Sequence, residues 1–517
     1  MSVHETLAEA DRAHEAGRLE EAVALYRAVL AAEPRSAEGW YGLGTAVQSL
    51  GAQGEAAQAL ARAIACGADA APVRLASGRA HFALGEVEAA IDQFARIEDA
   101  HDESLRVMAL MNKAVSIPGD PRADNAAVLR SRRTWARSEA TRVGTAPVAP
   151  RRRRAAGDKL KIGYVSSFFG AANWMKPVYG VINRHDRAGF ELHLFADGGL
   201  PSPEVGYRDH DTDIVHRIRN ASTADLADYI RRAGVDVLVD LNGYSVPGRL
   251  GLYLRRPAPA IVGWFNMFAT SGMPGYGHIV GDGQVIPGRE ERHYSEHVWR
   301  VPGSYLAFEV AYPVPDVAPP PCLAHGHITF GCLGSQYKIT DGVIAVWAAI
   351  LGRAPTSRLY LRNGVLSDAS SREAVLARFV KAGIDRRRID LEGRIAHFDF
   401  LASYSRVDIA LDTFPYNGGT TTTEALWQGV PVLAFDGDRW ASRTSKSLIV
   451  AAGMGEWCLP DEASYVERAV ALAADPATPA MLAAMRANMR ARLAVSPVCD
   501  CERLCRALED IYRRVAG

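Results

Sequence analysis

The first hundred residues place apolar side chains at helical spacing, and the pattern recurs. Small residues return at Ala10, Gly44 and Gly78, glycines at Gly17, Gly51 and Gly85, and alanines at Ala22, Ala56 and Ala90. Large apolar residues return at Tyr26, Leu60 and Phe94, and every set is spaced by 34 residues. Trp40 and Leu43 fill early positions of the second unit, and Pro34 closes the first. The period predicts three helix pairs over residues 1–100. Small residues let two helices approach, the glycine makes the turn between them, and the large residue fills the gap. One pair cannot bury its own apolar face, whereas three stacked pairs can. Helical spacing continues through about residue 145, with Leu105, Val107, Met108 and Met111 apolar.

The pattern then changes. Residues 145–158 carry two prolines and four consecutive arginines at 151–154, a solvated linker composition. From residue 159, short apolar runs alternate with amphipathic helices. The runs 162–166, 190–196 and 235–241 are predicted strands, with a helix at 224–233. A second set is predicted at 328–332, 358–362, 389–391, 409–411 and 430–434, after a connector, 312–322, holding five prolines. Alternation of this kind signals parallel β/α units. The expected fold class is therefore α plus α/β. Its domains are a helical solenoid at 1–100, a helical extension and basic linker at 101–158, and two doubly wound lobes at 159–315 and 316–517.

Composition narrows the function classes. A chain of 517 residues exceeds what one core serves. Fifty-nine basic residues balance fifty-nine acidic ones, so no overall field gathers nucleic acid or anionic membrane. No apolar run approaches the ~20 residues that span a bilayer, and the first twenty residues lack a signal-peptide core; the expected compartment is the cytoplasm. Seven cysteines in so long a chain point to reduced thiols. Cys499, Cys501 and Cys505 lie close together, but no fourth ligand follows at a zinc-like spacing, so they are assigned to a terminal helix and no metal is expected.

Candidate chemistry concentrates at 411–437, LDTFPYNGGTTTTEALWQGVPVLAFDG. A strand ends at Asp412, a turn runs through Asn417, Gly418 and Gly419, and a helix starts near Thr420 and stops at Gly429. Two glycines let backbone approach a ligand, and a helix N-terminus offers unpaired N–H groups and partial positive charge. Thr420, Thr421, Thr422 and Thr423 add hydroxyls at the same point. The pattern points to a diphosphate site, with Glu424 one turn in, placed to accept hydrogen bonds from ribose hydroxyls.

The 34-residue period resembles the tetratricopeptide repeat (TPR). The segment around Asn417 resembles the donor-binding motif of the protein O-GlcNAc transferase family, including its SPINDLY-type members: Asn417, Gly418, Thr420, Thr421, Glu424, Leu426 and Trp427 fall on its Asn-Gly, paired threonines, acid and Leu-Trp. The resemblance covers about residues 159–475. It includes KLKIGYVSS at 159–167, DLNGYS at 240–245, Arg256-Pro257-Ala258-Pro259, Thr270-Ser271-Gly272, Tyr294-Ser295-Glu296 with Pro302, and Ala441-Ser442-Arg443 with Gly453.

This resemblance implies a GT-B glycosyltransferase with two Rossmann-like lobes, inverting and metal-independent. It would use no cofactor beyond a nucleotide-sugar donor, UDP-GlcNAc first, and would act on Ser or Thr of a protein held by the TPR. Flagellin or another bacterial protein is a candidate acceptor. Lys338 falls on the family's lysine that neutralises the donor phosphates, the one catalytic role assigned. Ser335 stands where the family has an amide, and Asn242 aligns with an asparagine near the acceptor.

Three positions depart from the family. Its histidine motif after the first strand falls on 171–176, where Asn173 and Lys176 are the polar candidates. Its histidine over the nucleotide base falls on Phe400, which can stack on a pyrimidine, and His397 replaces a lysine of the animal enzymes. Asn266-Met267-Phe268-Ala269 replaces Gly-Tyr-Pro-Gly. These departures keep alternatives open: another nucleotide sugar such as GDP-fucose or a nonulosonic acid donor, or an inactive TPR scaffold that binds nucleotide or partner proteins.

Overall fold

Six helices follow the sequence period. The first members of the pairs, Val3–Glu15, Ala37–Ser49 and Ala71–Leu84, and the second members, Leu19–Ala32, Gln53–Ala65 and Val87–Ala95, each begin 34 residues apart. Gly17, Gly51 and Gly85 sit at φ +75°, +89° and +86°, the left-handed turn that the period predicts. The large residue of each unit is buried: Tyr26, Leu60 and Phe94. A Cβ at Gly44 would come within 2.7 Å of Leu60, and one at Gly78 would overlap the Phe94 ring. The small position and the large position are thus the two halves of one contact. The structure, a computed structural model, describes residues 2–98, 100–155, 157–208 and 210–517.

The chain divides into two compact units. One comprises Met1–Arg122, Pro321–Ala396 and Val466–Pro476; the other comprises Ala123–Pro320, His397–Tyr465 and Ala477–Gly517.

In the first unit the repeats adjoin the three-stranded parallel array β8 (Thr329–Cys332), β9 (Arg358–Arg362) and β10 (Ile389–Glu392), with β9 central. The helix Gln53–Ala65 has no side-chain cap of its own. Its first N–H groups are taken from elsewhere: Gly54 N–H donates to Ser371 Oγ (3.2 Å) and Glu55 N–H to Ser370 Oγ (2.9 Å). A helix start buried against another element needs such partners, and Gly54 leaves no room for a side chain beside Ser370.

The second unit is built on seven parallel strands: β1 (Leu160–Ser166), β2 (Phe190–Ala196), β3 (Ile214–Arg217), β4 (Val237–Asp240), β5 (Ala260–Gly263), β6 (His278–Asp282) and β7 (His297–Val301), ordered β3-β2-β1-β4-β5-β6-β7. The order reverses between β1 and β4, the place where open α/β sheets bind ligands beyond the strand ends. Strands β11 (Ile409–Leu411), β12 (Val432–Phe435) and β13 (Cys458–Leu459) form a further parallel set in this unit. The sequence pattern did not predict β3, β5, β6, β7 or β13. Each is five residues or fewer, and β3 lies at a sheet edge with Ile214 and Val215 exposed.

The extension divides: its helix Glu103–Ser116 belongs to the first unit, whereas the residues from Ala123 on, with the linker, belong to this one. The helix Asn125–Val143 buries Trp135 and Arg132. The Arg132 guanidinium stacks 3.6 Å from the Tyr244 ring centroid and donates to the Thr270 carbonyl at 2.6 Å. Two arginines of the basic run are engaged by the protein: Arg151 donates to the Ala516 carbonyl, and Arg152 pairs with Asp236. Cys501 and Cys505 lie on the terminal helix Cys501–Ala516. Buried Cys505, His185 and Glu509 present three ligand-type atoms within 4.8 Å of one another. They are joined by hydrogen bonds: His185 Nδ1 meets Glu509 Oε1 at 3.0 Å, and Tyr164 closes the network on His185 Nε2 at 2.7 Å.

Candidate active site

The turn and helix at 412–427 follow β11. Asp412 Oδ1 accepts from Gly418 N–H (3.1 Å), and Asn417 bridges the loop: its N–H donates to Ala441 O and its Nδ2 to Thr413 O, both at 2.7 Å. The helix Thr420–Trp427 opens at Gly419, which has no side chain to cap it. Among the described residues no N-cap side chain takes its first N–H groups, and the positive end of the helix dipole lies there, an arrangement that suits an anion.

The four threonines divide. Thr422 Oγ1 is buried 2.9 Å from Ser445 Oγ, and Thr423 Oγ1 donates to the Thr420 carbonyl at 2.7 Å. Only Thr420 and Thr421 remain half-buried with uncommitted hydroxyls among the described residues. The expectation that all four threonines offer hydroxyls at the helix start is thus corrected for Thr422 and Thr423, because the helix turns that pair into the core.

Glu424 is buried. Its Oε1 accepts from Lys176 Nζ at 2.8 Å and meets His397 Nε2 at 3.0 Å. Burial alone lifts a carboxyl pKa, but the Lys176 charge and these hydrogen bonds outweigh it and hold Glu424 below its ordinary value. Burial lowers the Lys176 ammonium, with Glu424 opposing. Lys176 is therefore the cation of a buried pair, where the sequence offered it only as a polar substitute for a missing histidine. The His397 ring is one-third exposed; Tyr312 lies 5.2 Å from it and Phe400 stacks beside it at 6.3 Å. Burial, reinforced by Glu424, raises the Tyr312 phenol. Lys176, Tyr179, Gly206, Glu309 and Tyr312 line a small cavity. Tyr312 was missed because it opens a proline-rich connector.

At the β1–β4 switch point, Asn242 Oδ1 accepts from Ser167 N–H at 2.7 Å, and the Asn242 amide N–H donates to Asp240 at 2.9 Å. Its Nδ2 is buried without a partner among the described residues, an unsatisfied donor of the kind a ligand or water completes. Asn173 is half-buried in the first turn of the helix Ala172–Ile182. Beside it Trp174 is exposed and stacked on Phe168 at 4.5 Å. In the first unit, Lys338 ends the single turn Gln336–Lys338 and donates its backbone N–H to the carbonyl of exposed Ser335.

Several matching motif residues have structural work. Arg443 forms a bidentate pair with Glu290 at 2.8 and 2.9 Å. Thr270 and Ser271 both donate to Glu296. The divergent segment carries strain: Phe265, Asn266 and Phe268 sit at φ +37°, +55° and +55°, which non-glycine residues rarely adopt.

Two parallel α/β sheets fit the GT-B glycosyltransferase class. The sequence model for glycosyl transferase family 41 matches residues 143–313 and 322–508, and the chain belongs to that family. It is 32% identical over 362 residues to the probable UDP-N-acetylglucosamine–peptide N-acetylglucosaminyltransferase SPINDLY of Oryza sativa subsp. japonica, covering 69% of this chain and 39% of that protein. It is 27% identical over 379 residues to the corresponding probable enzyme SEC of Arabidopsis thaliana, covering 70% and 38%. The chain thus spans about two fifths of the length of these curated relatives. Among solved structures, a lysine-to-methionine mutant of the Thermobaculum terrenum O-GlcNAc transferase superposes with a TM-score of 0.81 at 28% identity, covering 99% of this chain and 97% of that one.

Proposed function

We propose that the chain transfers a sugar from a nucleotide donor to Ser or Thr hydroxyls of a protein held by its TPR segment, with UDP-GlcNAc the first donor to test. The observation that carries this reading is the uncapped helix start at Thr420, opened by Asn417, Gly418 and Gly419 and flanked by two uncommitted hydroxyls. The names of the family relatives and of the similar structure support it.

In this reading the helix start, Thr420 and Thr421 hold the diphosphate. Lys338 neutralises the charge that grows there as the sugar leaves, and Ser335 adds a hydroxyl. A fixed cation at that point lowers the barrier because the charge exists only as the bond breaks. His397, oriented by Glu424, and Phe400 flank the nucleoside, and Glu424 itself is held by Lys176. Asn242, with its open Nδ2, and Asn173 face the acceptor side. The acceptor hydroxyl oxygen forms its bond to the anomeric carbon as the bond to the diphosphate breaks; the diphosphate leaves with the electron pair and the hydroxyl proton passes to solvent, inverting that centre without a metal. Residues 1–100 are the protein-holding module, 101–158 join it to catalytic lobes at 159–315 and 316–517, and the reaction is cytoplasmic. Flagellin or another bacterial protein is the acceptor to search for.

A second reading, a different nucleotide sugar, is favoured by one observation: the buried Lys176–Glu424 pair and the Phe400 ring occupy positions that differ from the family pattern. One experiment separates these. Thermal shift with UDP, GDP and CMP and their sugars names the nucleotide, and mass spectrometry of candidate acceptors then reads the transferred mass. Stabilisation by UDP and UDP-GlcNAc supports the first reading, and stabilisation by another nucleotide alone supports the second. No shift with any of them overturns the donor site.

A further inference from the structure

The third repeat touches the loop that carries Lys338. Gln336 is almost fully buried; its Nε2 donates to the Leu84 carbonyl at 3.2 Å while its Oε1 accepts from Asn363 at 3.1 Å. Phe82, on the last turn of the helix Ala71–Leu84, stacks on Tyr337 with centroids 5.0 Å apart and planes 21° from parallel. The Arg378 guanidinium donates to the carbonyls of Leu84 (2.5 Å), Gly85 (3.3 Å) and Ile339 (3.2 Å), and its Nε to Asp341 (2.8 Å). Gly85 is required twice. It turns the repeat at φ +86°, and a Cβ there would lie 2.7 Å from the Gln336 carbonyl oxygen and closer still to that of Ile339.

Residues on both sides of Lys338 are thus fixed by the repeat turn or by the arginine that clamps it. The loop itself is one three-residue turn.

We infer that the third repeat is a positioning element of the donor site: Phe82, the Gly85 turn and Arg378 set the placement of Lys338, so the repeat governs donor handling as well as acceptor capture. The inference rests on the assignment of Lys338 to the donor diphosphate. It requires that loosening the contact weaken diphosphate binding with no acceptor present.

The test uses the full chain and UDP alone, measured by calorimetry. Phe82→Ala is expected to weaken UDP about tenfold, Phe82→Tyr to preserve it, and Arg378→Met to weaken it similarly. In a Lys338→Met background, Phe82→Ala should add nothing, since both changes act on one group. Wild-type UDP affinity in folded Phe82→Ala and Arg378→Met overturns the inference, as does an equal loss from Phe82→Ala with and without Lys338. If Lys338→Met alone leaves UDP affinity unchanged, the assignment of Lys338 to the donor diphosphate falls and the inference with it; if wild type binds another nucleoside diphosphate in place of UDP, the same variants are read with that nucleotide and the same outcomes decide.

Discussion

Lys176 Nζ lies 2.8 Å from Glu424 Oε1, a contact across 248 residues between side chains only 2% and 5% exposed. Removing one member of such a pair strands a buried charge, at a cost of about 3–5 kcal/mol, whereas replacing both with neutral groups is far milder. Lys176→Met and Glu424→Gln are each expected to destabilise on that scale, and the double variant to recover most of the loss. Denaturant unfolding at fixed pH reads all four proteins. Losses that simply add in the double variant would mean the pair is not coupled.

The threonines give a sharper contrast. Thr421→Ala removes a hydroxyl with no partner among the described residues, so nucleotide affinity should fall while stability changes by less than about 0.5 kcal/mol. Thr422→Val removes the buried 2.9 Å bond to Ser445 Oγ, which keeps its bond to the Gly418 carbonyl, and should cost about 0.5–1.5 kcal/mol. Calorimetric binding and thermal unfolding on both variants distinguish ligand-facing from core-facing hydroxyls. The reverse pattern would place the wrong pair at the ligand.

What the sequence made legible was whatever repeats or sits contiguously. The repeat units could be read because Gly44 and Leu60, or Gly78 and Phe94, recur at one interval, and the donor turn because Asn417 through Glu424 are consecutive. Contacts between distant segments left no such trace. Nothing in Trp174-Met175-Lys176-Pro177 signals a buried cation, and nothing near Ser370 signals that it caps a repeat helix. The short strands β5 to β7 were hidden for another reason: runs of four or five residues carry too few alternations to display a period.

Acid pH should loosen one sheet edge. His193 Nδ1 and His216 Nε2 meet at 2.9 Å across β2 and β3. Burial, with the neighbouring His193, pulls His216 down to about 4. Burial also lowers His193, with Glu191 opposing and Lys161 adding to the drop. An unfolded histidine titrates near 6.5. Between about 6.5 and about 4 the unfolded chain therefore holds a proton that the folded chain lacks, and stability falls as pH falls. Hydrogen exchange at pH 5 and pH 7 should show β3 losing protection first, and His216→Phe should flatten that dependence. Equal protection of β3 at both values would refute the shift.

Phe268 allows a test in which strain and packing have opposite signs. Its backbone sits at φ +55° while its ring lies 5.3 Å from that of Tyr416, at 54°. Both Phe268→Ala and Phe268→Gly delete the ring and so lose the same packing. They differ in the backbone: alanine in this left-handed region keeps a penalty of about 1–2 kcal/mol that glycine does not bear. Glycine is ordinarily the worse residue by about 0.5–1 kcal/mol, because it loses more freedom on folding. The order should therefore invert here, with Phe268→Gly more stable than Phe268→Ala by roughly 1 kcal/mol in denaturant unfolding. If alanine proves the more stable, the backbone at Phe268 carries no strain.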